Sequence, residues 1–145
     1  MPNGAGTVRL EIHSTIDMVD LVQVMSEHVA RTAGFGDEAL HWVGLAVREC
    51  VSNAITHGNR SDPGKRVFIE FMTTPPANPT ELTVSVRDEG KGFDPGALNN
   101  PVDPQHILTM GGRGIFLMRK LMDDVSLKPS REGGMEVRMV KRISR

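Results

Sequence analysis

Three side chains able to hold or activate another molecule stand at four-residue intervals in R-E-C-V-S-N-A-I-T-H-G-N, residues 48–59. They are the carboxylate of Glu49, the carboxamide of Asn53 and the imidazole of His57. On a helix of about 3.6 residues per turn, each step of four advances about 40°, so the three form one slanting strip. Leu40, Val43, Val47, Val51 and Ala54, with Ala46 and Cys50 beside them, make a separate apolar stripe that anchors the helix on a core. Glu49 falls roughly opposite Leu40 on the helical wheel, with Asn53 and His57 progressively nearer the apolar margin. An acid and an amide at that margin can face a cleft, although the same pattern describes the solvated side of an amphipathic helix. Gly58 is expected to act as the left-handed cap, with His57 closing the helix.

A second group lies in D-E-G-K-G-F, residues 88–93. Leu82, Val84, Val86 and Asp88 share one face of a strand, so Asp88 points the way the core residues point. A carboxylate there needs a partner or a polar ligand, because burying it alone is costly. Gly90 and Gly92 free the backbone for a turn and for close approach of another molecule, and an ordinary glycine turn reads the same way. The third group is G-G-R-G, residues 111–114, at the start of a short helix. Free N–H groups and the positive dipole end suit phosphate there, with Arg113 as a cation. Glycine-rich helix starts also occur without a ligand. Neither G-x-x-x-x-G-K-[ST] nor a G-x-G-x-x-G after the first strand is present.

The elements that must position these groups follow from periodicity. Thr7 to His13 alternates, with Val8, Leu10 and Ile12 on one face, and reads as a strand. Asp17 to Ala33 has helical spacing and ends at Gly34 and Gly36. A second helix runs from Asp37, its expected N-cap, to His57. Arg66–Thr73 and Glu81–Asp88 are strands joined by T-P-P-A-N-P-T, an antiparallel pair. Asp94 to Gly112 is broken by Pro95, Pro101 and Pro104 and has little periodicity, as functional loops do. A helix over Gly114–Met122 and strands over Val125–Lys128 and Met135–Arg142 complete the order. It predicts an α+β fold: a two-layer sandwich, mostly antiparallel sheet, covered on one face by helices.

With 145 residues and 39% hydrophobic content, one domain spanning 1–145 has enough apolar material for a core. The net charge of −1 gives no electrostatic case for nucleic acid. A single cysteine excludes an internal disulfide and a cysteine zinc cluster, and its place on the apolar stripe makes it a buried, inert thiol. No apolar run approaches the roughly 20 residues needed to cross a bilayer, and no secretory pattern opens the chain, so no membrane role is expected and the cytoplasm is the expected location.

Taken together and in this order, E-x-x-x-N-A-x-x-H-G, D-x-G-x-G-F, a proline-broken loop and G-x-G resemble the ATP site of the GHKL (Bergerat-fold) superfamily, which includes gyrase B and histidine kinases. Within it, the length, the N-terminal strand and R-G-I-F-L-M-R-K-L-M-D-D-V are similar to the anti-sigma-factor serine/threonine kinases of stress-response and sporulation switches. The resemblance covers about Thr7 to Arg142. It implies that Asp88 accepts a hydrogen bond from the adenine amino group, with Gly90 and Gly92 at the base pocket. It implies that Asn53 ligates Mg²⁺ beside the phosphates of ATP, and that Glu49 is the catalytic base or water-orienting group. Gly112, Arg113 and Gly114 would wrap the phosphates, and 94–112 would be the ATP lid. The partners implied are a sigma factor, which the protein sequesters, and a STAS-type anti-anti-sigma protein, which it phosphorylates; a homodimer is expected. The alternatives are an ATP-binding partner-switching module that transfers nothing, and a detached histidine-kinase catalytic domain. One departure stands out: Met135 occupies the place where relatives usually carry an adenine-binding threonine.

Overall fold

The structure is a computed structural model that describes residues 6–91 and 112–144. Strand β1 (Thr7–His13) leads into helices α1 (Met18–Ala33) and α2 (Asp37–Asn53). Strands β2 (Arg66–Thr74) and β3 (Glu81–Arg87), helix α3 (Gly112–Leu121), and strands β4 (Asp124–Pro129) and β5 (Met135–Arg142) follow. The strands form one sheet in the order β1-β2-β3-β5-β4, with every neighbouring pair antiparallel. The α+β architecture expected from the pattern is the one observed.

Alternation along the strands decides which side of the sheet the helices cover. Val67, Ile69 and Phe71 of β2 and Leu82, Val84 and Val86 of β3 are buried, and Met139 of β5 joins them. Helix α2 packs between α1 and α3 on this face. Every residue of its expected apolar stripe, from Leu40 to Ala54, is buried. Val8 is the exception to the strand pattern: it remains exposed, because β1 is the edge of the sheet and is covered from one side only. The other face of the sheet is solvated and carries paired charges, Arg9 with Glu70 at 2.7 Å, Arg66 with Glu11 at 2.8 Å and Arg87 with Glu132 at 3.0 Å. Exposed pairs of this kind contribute little to stability.

The ends of the helices correct two expectations. Gly36, not Asp37, is the N-cap of α2; its extended backbone (φ −71°, ψ 166°) lets Asp37 sit in the first turn, beside the positive dipole end. Gly58 is not a left-handed cap, and it has no positive φ. Instead the helix widens into a π-helical turn over Ala54–Gly58, closed by the Asn59 N–H donating to the Ala54 carbonyl at 2.8 Å. The left-handed residues come later, at Arg60 (φ 52°) and Ser61 (φ 58°). A widened turn breaks the about 3.6-residue phase. His57 therefore does not continue the strip of Glu49 and Asn53; it is exposed. Helix α1 ends as expected, with Gly34 left-handed at φ 108°.

Phe71 is fully buried at the middle of the covered face. Replacing it with alanine should lower stability by about 3–5 kcal/mol, read as a lower urea midpoint at an unchanged denaturant slope.

Candidate functional site

Asp88 is the first residue beyond β3 and continues the inward stripe of Leu82, Val84 and Val86, so the fold carries a carboxylate into the covered side of the sheet. It is only 5% exposed. Its Oδ1 accepts two backbone hydrogen bonds, from Gly90 N–H at 2.9 Å and from Met135 N–H at 3.1 Å. The Asp88 N–H in turn donates to the Met135 carbonyl at 3.0 Å, which ties the end of β3 to the start of β5. Among the described residues no donor reaches Oδ2. Burial raises the Asp88 pKa above its ordinary value; the two N–H donors, and then the charges of Arg87 and Lys65, pull it partly back.

Gly58 lies directly against this carboxylate: a methyl group added there would collide with Asp88 Oδ2 and Cγ. The end of α2 thus needs a glycine for close approach, not for a left-handed cap. Gly134, held left-handed at φ 82°, and Gly90 make the same kind of contact from the other sides, against the Asp88 backbone and the Gly58 carbonyl. Beneath the aspartate, Cys50 of α2 is fully buried, and both burial and the Asp88 charge push its thiol pKa upward.

One to two turns back along α2, Glu49 and Asn53 are half-buried and meet the first turn of α3. A methyl at Gly114 would strike Asn53 Nδ2 and lie 3.2 Å from Glu49 Oε2. Two separate stretches of sequence therefore converge on the C-terminal part of one helix: Asp88 at its widened end, and Gly114 beside Asn53 and Glu49. Arg113 is exposed next to Gly114, and Gly112 is the first residue of α3. Gly92 and the expected lid, from 94 to Gly111, lie outside the described residues. His57 stands apart, on the surface. Two features escaped the sequence: the Met135 N–H as a ligand of Asp88, and Gly134 as its close neighbour. The G-G pair at 133–134, just before a strand, was the available signal.

Such a convergence of a buried strand-end carboxylate, an acid–amide pair on a helix and a glycine helix start defines the class, an α+β domain of the GHKL ATPase type. The histidine kinase-like ATPase domain family matches residues 12–141, and the chain belongs to that family. It is similar to the serine-protein kinase RsbW of Bacillus subtilis, 28% identical over 150 aligned positions that cover 99% of this chain and 90% of the relative. RsbW of Listeria monocytogenes is 27% identical over 143 positions, 94% of this chain and 87% of that one. The structure of the RsbU and RsbW domains of Rv1364c from Mycobacterium tuberculosis has the same fold, with a TM-score of 0.68 at 16% identity, covering 96% of this chain and 33% of the other. The mycobacterial sensor histidine kinase MprB aligns with a TM-score of 0.54 at 16% identity, over 93% of this chain and 97% of that one. The expected kinship with serine kinases of the anti-sigma type is thus the one found. No helix among the described residues is long and apolar enough to cross a membrane.

A raised folded-state pKa means that Asp88 holds its proton more tightly folded than unfolded. Its contribution to stability is therefore best at low pH and is lost as pH rises from the ordinary carboxylate range through the raised value. Asp88→Asn keeps an Oδ1 for both N–H donors and removes the buried charge. The variant should melt higher than the wild type at pH 7, and the gap should close as the pH falls toward the unfolded carboxylate's range; thermal melts across pH check this.

Proposed function

We propose that this chain is an ATP- and Mg²⁺-dependent serine protein kinase and anti-sigma factor. It phosphorylates a STAS-type anti-anti-sigma protein, sequesters a sigma factor, and works as a cytoplasmic homodimer. The observation that supports this most directly is the division of labour at Asp88. Oδ1 takes two backbone N–H groups, and among the described residues Oδ2 has no donor; it lies against Gly58, where an exocyclic amino group of a purine can donate to it. The partners and the dimer come with the resemblance to RsbW.

One to two turns back along the helix the donor set suits a phosphate chain with a hard cation. The Asn53 carboxamide oxygen is a neutral oxygen ligand, Glu49 an acid four residues away, and the first turn of α3 offers backbone N–H groups and its positive dipole end. Among the described residues no group of three or more His, Cys, Asp or Glu side chains is placed to hold a metal. Magnesium needs no such group: it takes one or two protein oxygens and completes its shell with phosphate and water. Bound there, the ion would neutralise charge developing on the transferred phosphoryl group. The chain's own residues do the rest. Asp88 orients the base, Gly112, Arg113 and Gly114 line the phosphates, and Glu49 takes or directs the proton of the attacking serine hydroxyl. Gly90 and Gly92 keep side chains away from the base. Met135 presents its backbone N–H to Asp88 and has no hydroxyl to offer in place of the threonine that the resemblance leads one to expect there.

Two substitutions separate binding from chemistry. Asn at position 88 would turn Nδ2 toward the site of Oδ2 and set donor against donor, so Asp88→Asn should weaken ATP binding by about 10- to 100-fold, measured by calorimetry. Glu49→Gln should keep ATP affinity within a few-fold and lower phosphate transfer to the antagonist's serine by about 100-fold or more, measured with radiolabelled ATP. Absence of transfer by the wild type to any candidate antagonist, with ATP still bound, would make the chain a binding module instead.

A further inference from the structure

We infer that Asn59 is the positioning residue of the base site: its side chain sets where the Asp88 carboxylate stands. The inference rests on the adenine role proposed for Asp88. Asn59 touches no nucleotide in this scheme; it acts through the turn that carries the aspartate.

Asn59 is fully buried, unusual for a polar side chain one residue past a helix end. Each polar atom of its carboxamide is used. Oδ1 accepts from the Glu89 N–H at 2.7 Å, and Nδ2 donates to Ser14 Oγ at 2.7 Å and to the Arg66 carbonyl at 3.0 Å. Ser14 is fixed in turn, donating through Oγ to the Lys65 carbonyl at 2.9 Å. The carboxamide therefore joins three segments distant in sequence: the end of β1, the start of β2 and the turn after β3. The last is the one that matters, since Glu89 follows Asp88 directly. The Arg66 N–H also donates to Glu89 Oε1, at 2.6 Å, so the turn is held at both its backbone and its side chain.

The widened turn of α2 makes this possible. Its closing bond, from the Asn59 N–H to the Ala54 carbonyl, places the Asn59 backbone while Gly58, the residue before, lies against Asp88 Oδ2. Successive residues thus contact the aspartate from two sides, Gly58 by packing and Asn59 through Glu89. Displacement of the 88–89 peptide, which would carry the carboxylate away from the Gly90 and Met135 N–H groups, would need the Glu89 N–H to leave Asn59. π-Helical turns within α-helices occur frequently at functional sites, and here the irregularity has a definable task.

Serine 14 provides the control, because Ser14→Ala removes one of the carboxamide's anchors and leaves its bond to Glu89. Wild type, Asn59→Ala and Ser14→Ala are compared for ATP and GTP affinity by calorimetry, for melting temperature, and for amide hydrogen exchange at Gly90 and Met135 without nucleotide. Both variants should melt lower. Asn59→Ala alone should lose about tenfold or more in ATP affinity, with about tenfold faster exchange at the two amides. Ser14→Ala should leave both within about twofold of wild type. Unchanged affinity and exchange in Asn59→Ala would overturn the inference, as would an equal loss in Ser14→Ala, since general loosening would then explain both. If the wild type shows no preference for ATP over GTP, the adenine reading of Asp88 fails, and the exchange comparison alone decides the role of Asn59. Should Asn59→Ala not fold, Asn59→Ser, too short to span to Glu89, takes its place with the same expectations.

Discussion

A buried carboxylate with two backbone N–H groups on one oxygen is the constraint from which the rest of this molecule can be understood. Asp88 lies where β3 runs out, and a charge inside a fold survives only if its surroundings are polar and fixed. The strand order supplies this, because β5 lies beside β3 and brings the Met135 N–H within reach. The glycines at 58, 90 and 134 let three stretches of backbone close on the side chain together. Burial still raises its pKa, so the site is kept at some cost to the fold.

Helix α2 serves two masters. Its apolar stripe is wholly inside, between α1 and α3 and over the sheet, so its axis is held by packing. Glu49 and Asn53 are thereby presented from a rigid element rather than a loop, which favours accurate placement of groups around a ligand. The widened last turn then redirects the chain. It turns His57 out to solvent, lays Gly58 on the aspartate and delivers Asn59 into the interior.

How far the sequence could be read depended on whether a property was periodic. The covered faces of α2, β2 and β3, the antiparallel sheet and the order of elements were legible because alternation and helical spacing encode burial directly. Glu49, Asn53 and Asp88 were legible as candidates, since an acid and an amide one helical turn apart and a carboxylate on a core face are both visible in one dimension. Their convergence through Gly114 and Gly58 was not, because it depends on contacts between residues 30 to 65 positions apart. Gly58 shows the limit well. A glycine after a helix suggests a left-handed cap, and the same letter also serves where another side chain must come close; only the packing distinguishes them. Asn59 was invisible for a related reason, since its three hydrogen-bond partners come from elsewhere in the chain.

The single cysteine acquires a meaning from its location. Cys50 lies beneath the aspartate, buried in the core, where burial and then that neighbouring negative charge both disfavour the reactive thiolate. A thiol so shielded is silent toward electrophiles and oxidants while the layers are closed. It becomes available only to molecules that have opened, which makes this sulfur a built-in tally of the unfolded population and spares the native chain from oxidative cross-linking.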